Sequence, residues 1–171
     1  MDALDNRVDL TLGRAGRTME VSSGGDPMHR YLVVANRTLA GTHLFEQLTE
    51  LTRHGPCSFH VVIPAEPPRN HAWTETEARA VAEARLEQAL ARFAALDADV
   101  DGEVGDADPA LAVEDVLLRG EAFDAIVLST LPLGPSRWLR LDLPHRLEGR
   151  TGLRVIHVIG HAEPVSAAGS G

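Results

Sequence analysis

The stretch Phe123–Val158, FDAIVLSTLPLGPSRWLRLDLPHRLEGRTGLRVIHV, decides the fold. It holds a short apolar run (Ala125–Leu128), a turn-rich loop running from Ser129 and Thr130 to Gly134 and Pro135, a helical segment, and a second apolar run (Arg154–Ile159). Continuous apolar runs of this length suit strands covered on both faces. Two such strands joined through a helix form a parallel crossover. Open α/β sheets bind ligands beyond the carboxyl ends of their strands. Long connections in compact domains tend to be functional. The loop after Leu128 is therefore the first place to look for a site.

Working back from this stretch, the same alternation of strand and helix signals recurs. Tyr31–Ala35 and Phe59–Ile63 are apolar runs that predict strands. Asp99–Val104 alternates around Gly102 and predicts a weaker edge strand. Between them lie three helical patterns. Leu44, Phe45, Leu48 and Leu51 fall on one side of a helix that Thr42 can cap and Gly55-Pro56 stops. Thr74 and Glu77 form a capping box opening a long helix with the stripe Ala78, Ala82, Leu86, Ala89, Leu90 and Phe93. Asp108 followed by Pro109 starts a third helix, with Ala112, Val113, Val116 and Leu117 inside and Gly120 at its end. Asp142 before Leu143-Pro144 predicts a short fourth helix stopping at Gly149. The succession predicts an α/β domain, an open parallel five-stranded sheet of order 3-2-1-4-5 with helices on both faces. Asn36–Gly41 and Ser129–Gly134 then face each other across the crevice between the first and fourth strands.

Residues 29–159 carry this pattern. Residues 1–28 are rich in Gly, Ser and scattered charge, and residues 160–171 are small and polar, so both are expected to be flexible segments flanking one domain. Val8–Leu12 is a short, isolated alternating piece. Composition is ordinary for a globular chain, 44% hydrophobic and 24% charged. No apolar run approaches the roughly 20 residues that span a bilayer, and no secretory leader is evident; a cytoplasmic location and no membrane partner are expected. The net charge of −9 argues against a nucleic-acid partner. All 16 basic residues are Arg, which excludes lysine-based phosphate loops and Schiff-base chemistry. Cys57, as the single cysteine, excludes an internal disulfide and is read as structural.

The strand and helix count, the long second helix after a Pro-rich loop, the helix start DPALAVEDVL, and FDAIVLST before a long loop give the core a family likeness. Over about residues 29–159 it resembles the universal stress proteins. The resemblance implies a Rossmann-like fold of the adenine nucleotide alpha hydrolase kind, a stress-related role and frequent dimerisation. ATP-binding members of that family carry Gly-x2-Gly-x9-Gly-Ser/Thr after the fourth strand and an Asp at the end of the first. Here Ser129 and Pro132 stand at the first two glycines, Asp142 and Leu143 at the Gly-Ser/Thr pair, and Asn36 at the Asp. Pro132 has no amide to offer a phosphate, and a carboxylate at a helix start repels a second anion. No cofactor is expected, and ATP or another nucleotide is disfavoured.

The remaining candidates for a ligand crevice are Asn36, Arg37, Ser129, Thr130, Gly134 and Arg137. Arg37 and Arg137, with Arg140 nearby, are of a type that holds phosphate or carboxylate bidentately. Trp138 either stacks on a ligand or covers the sheet edge. His60 and His157 read as packed strand histidines, while His43, His54, His71 and His145 lack metal-ligand spacing. Ser129 lacks the flanking glycines of a nucleophile elbow. The acidic run Asp97–Asp108 does not match a calcium loop. No catalytic or metal-binding residue is assigned. The expectation is a noncatalytic regulatory or interaction protein, homodimeric through the exposed edge 154–159, with a protein partner unidentified. A small-anion or nucleotide-binding module is the first alternative, and a nucleotide hydrolase the second.

Overall fold

A computed structural model describes residues 27–67, 72–132, 138 and 141–161. The described elements run β1 (His29–Val34), α1 (Thr42–Arg53), β2 (Cys57–Pro64), α2 (Glu75–Phe93), β3 (Asp99–Gly105), α3 (Pro109–Leu118), β4 (Ala125–Thr130), α4 (Leu143–Thr151) and β5 (Arg154–Ile159). The strands form one parallel sheet in the order β3-β2-β1-β4-β5. The order predicted from the alternation of runs is thus the order found.

The apolar runs become the centre of the sheet because both faces of it are covered. Along β1, Tyr31 and Val33 face one side and Leu32 and Val34 the other, as the two-residue period of a strand requires. The first face packs Leu44 and Leu48 of α1 and Ala82, Ala89 and Phe93 of α2 against Phe59, Val61 and Val127. The second packs Ala112, Val113 and Val116 of α3 and Leu147 of α4 against Val62, Ile126 and Leu128. Two of the described helices lie on each face, as right-handed crossovers from a central β1 demand.

The helix starts differ in how they are held. Thr74 accepts from the Glu77 amide at 3.2 Å, and Glu77 accepts from the Thr74 amide at 2.8 Å, closing the predicted box. Asp108 caps α3 through the amides of Ala110 and Leu111. Thr42, however, is the first helical residue of α1, not its cap; Gly41 occupies the cap position without a side-chain bond. A Cβ at Gly41 would stand 2.9 Å from the Thr38 carbonyl oxygen, so the tight turn before α1 excludes a larger residue there. Gly149 does not stop α4. The helix continues to Thr151 and ends at Gly152, whose φ of 69° is the left-handed termination that glycine favours.

Candidate functional site

Three strands deliver polar residues to the carboxyl edge of the sheet. β1 leads into Asn36 and Thr38, β4 ends in Ser129 and Thr130, and β5 brings His157 alongside, in register with Leu128. Asn36, Thr38, Ser129 and Thr130 are all buried, at 6%, 2%, 1% and 2% exposure. Each is satisfied from within the protein. Ser129 donates its hydroxyl to Thr38 Oγ1 at 2.7 Å, directly across the β1–β4 switch point. Thr130 Oγ1 pairs with His157 Nε2 at 2.8 Å. Asn36 donates from Nδ2 to the Pro64 carbonyl at 3.3 Å and accepts on Oδ1 from Arg85 Nη1 at 2.6 Å. Gly160 donates its amide to the Thr130 carbonyl. Side chains from the loop after β1, from β4, from β5 and from α2 thus bond one another along this edge. Arg37 alone of the described crevice candidates is exposed. Gly134, Arg137 and Arg140 lie outside the described residues, as do residues 1–26 and 162–171 and His71.

The start of α4, where the resemblance would place a phosphate, is occupied by this chain's own groups. Leu143 is fully buried in the second core layer, and Pro144 in the first turn has no amide. Asp142 sits at the cap position with φ 52°, but its carboxylate does not cap the helix. It accepts instead from His145 Nδ1 at 2.7 Å. That bond, together with the charge of Asp142, raises the His145 pKa above the usual histidine value. The anion is therefore present at the helix start as expected, while its hydrogen bond goes to a side chain rather than to the backbone.

A cleft of about 210 Å³ opens nearby, between the turn after β2, the start of α3 and the start of α4. It is lined among others by Glu66, Asp108, Trp138 and Arg146. The Trp138 ring is buried against the second core layer, and its indole N–H donates to Glu66 Oε2 at 3.2 Å. Trp138 is thus a covering residue with its polar end satisfied. Cys57 is buried; burial, then the charge of Asp97, pushes its thiol pKa up, which leaves it unreactive. His60 is buried too, with Nδ1 on Asp101 at 2.8 Å. Among the described residues no group of three His, Cys, Asp or Glu side chains could hold a metal ion. No helix of the described residues is long and apolar enough to cross a membrane.

No protein-family model matches the sequence, and no curated protein matches it. Among solved structures, the chain is similar to a universal stress protein determined in complex with cAMP, aligned over 79% of this chain and 98% of that one, with a TM-score of 0.49 and 14% sequence identity. The fold of the present chain rests on its own strand order and crossovers.

Sequence reading missed Arg85, which turns out to hold Asn36. The available signal was its helical spacing. Arg79 has Glu75 and Glu83 four residues away, whereas Arg85 has Val81 and Ala89 there, and Ala82 and Gln88 at three. A helix arginine without an acidic neighbour on its own face is free to reach elsewhere.

Proposed function

We propose that this chain is a universal-stress-protein-like domain that acts by association rather than by catalysis, and that it does not take ATP by the family's glycine loop. The observation that carries this reading is the pairing of the crevice groups with each other. Ser129 with Thr38, Thr130 with His157, and Asn36 with Pro64 and Arg85 use hydrogen-bonding capacity that a nucleotide would otherwise require. Opening them would leave buried polar atoms unpaired, at about 1–3 kcal/mol each. The residues standing at the glycine-loop positions add to it, since Pro132 and Pro144 have no amides and Asp142 brings negative charge. The family assignment and the stress-related role come from the sequence resemblance and its carriers, because a fold alone does not fix a function.

The test is mass spectrometry of the protein as purified and then denatured. The expected result is no nucleotide at a stoichiometric level. A nucleotide retained one per chain would overturn the reading and favour the binding module.

A further inference from the structure

The cleft between the turn after β2 and the starts of α3 and α4 lies apart from the crevice groups, since none of Asn36, Thr38, Ser129 and Thr130 lines it. Pro67, Pro109, Trp138, Leu141 and Leu143 make most of its wall apolar. Trp138 and Leu143 are buried in the second core layer, so that part of the wall is fixed by the fold. Leu141 is a large apolar side chain left half exposed beside them. Three charged side chains also line the cleft, Glu66, Asp108 and Arg146. Glu66 takes the Trp138 N–H. Asp108 uses Oδ1 on the Ala110 and Leu111 amides, at 2.8 and 3.4 Å, while its Oδ2 bonds nothing among the described residues. The ion pairs among the described residues engage Arg30, Arg53, Arg79, Arg119 and Arg150, not Arg146. Arg154 of β5 also goes without an ion pair there, but it does not line the cleft. What distinguishes Arg146 is the cavity that it lines together with a carboxylate oxygen that has no partner.

Volume and charge together narrow what fits. The cleft, at about 210 Å³, exceeds the roughly 150 Å³ cavity that takes benzene and falls short of the roughly 300–1,000 Å³ of pockets for drug-sized ligands. It suits a ligand of about nine non-hydrogen atoms, far fewer than a nucleotide carries. An apolar lining with a few placed polar groups is the usual make-up of such a site. A simple anion would reach Arg146 but meet the two carboxylates, and a simple cation would reach Asp108 but meet Arg146. A molecule with one charge of each sign satisfies both. The Arg146 fork can bond a carboxylate through two nitrogens, and Asp108 Oδ2 can accept from an ammonium group. We propose that this cleft binds a free amino acid with an apolar side chain, its carboxylate on Arg146, its ammonium group on Asp108 and its apolar body against Trp138, Leu141 and Leu143. Seating it requires no opening of the bonds between β1 and β4. The site therefore stands or falls separately from the exclusion of ATP.

The experiment follows tryptophan fluorescence of the full chain carrying Trp73→Phe, in which Trp138 alone reports, since the chain has two tryptophans. The probes are L-leucine, 4-methylpentanoate, which lacks the ammonium group, and 3-methylbutylamine, which lacks the carboxylate. L-leucine should shift the emission saturably, with half-saturation at roughly 0.1–1 mM, ordinary for a ligand of nine heavy atoms. Each one-charge analogue should bind at least about tenfold more weakly, the scale of one lost charge-assisted hydrogen bond. Arg146→Gln, at an exposed position, should weaken L-leucine by a similar factor. So should Asp108→Asn, which removes the charge while asparagine still caps α3. Arg154→Gln on β5 should leave the titration unchanged. If the Trp73→Phe chain does not fold, the thermal midpoint of the unaltered chain with the same three probes gives the same comparison. No saturable response to L-leucine would overturn the proposal. So would equal binding of either one-charge analogue, or L-leucine binding unchanged in Arg146→Gln or in Asp108→Asn.

Discussion

Ser129 joins the end of β4 to the loop after β1 through a single hydroxyl. It comes from the end of β4, and its partner Thr38 lies 91 residues earlier in the chain. Both are buried, so neither has water as an alternative partner. Ser129→Ala should cost about 1 kcal/mol, and Thr38→Ala a similar amount. Because both remove one interaction, the double variant should cost clearly less than the sum of the two. Strict additivity in urea unfolding would show that the bond contributes nothing. His157 offers a pH test on the same network. Its ring edge is covered near Thr130 although the residue as a whole is exposed, and that burial lowers its pKa from the ordinary 6.5. A depressed folded-state pKa means that the unfolded chain binds the proton more readily. The contribution of neutral His157 is therefore complete above about pH 6.5 and is lost as pH falls through the lower folded value. The midpoint difference between wild type and His157→Gln should stay constant from pH 8 to 7 and shrink on acidification to pH 5. A difference independent of pH would contradict this assignment.

At the scale of elements, β3 and α2 show a packing constraint that the sequence hints at only through one glycine. A Cβ at Gly102 would stand 2.7 Å from the Val61 carbonyl and 2.8 Å from Leu86 Cδ1 of α2. Gly102→Ala should thus destabilise by about 1–3 kcal/mol, the range for overpacking, with the loss read from the denaturant midpoint. An unchanged midpoint would mean that α2 shifts freely over the sheet. Most elements were legible because their signals are local. Apolar runs gave the strands, and spacing gave the helix faces. Asp108 with Pro109 and Thr74 with Glu77 gave two helix starts. What was not legible depends on partners distant in sequence or on backbone shape. Gly41, its amide bonded to the Thr38 carbonyl, takes the cap position in place of Thr42. Asp142 adopts a left-handed conformation and turns to His145. Spacing singles out Asn36 and Ser129 as crevice candidates, but it cannot say that Arg85 and Thr38 are their partners.

For the molecule as a whole, the order β3-β2-β1-β4-β5 leaves β5 at one edge of the sheet. The strand has no Pro or Lys, and Ile159 at its end is 51% exposed. Such an edge is a template for another strand, and a two-fold axis would pair β5 antiparallel with its own copy. We expect light scattering at micromolar concentration to give about twice the 18.4 kDa chain mass. A monomer at high concentration and ordinary salt would refute the dimer. If the crevice residues are committed to each other as proposed, this fold does not take ATP between β1 and β4. Titration calorimetry with ATP and magnesium at physiological salt decides the matter. No saturable binding is expected, or a dissociation constant above roughly 100 µM, less than about 5.5 kcal/mol of affinity. Saturable binding at low micromolar ATP would contradict it.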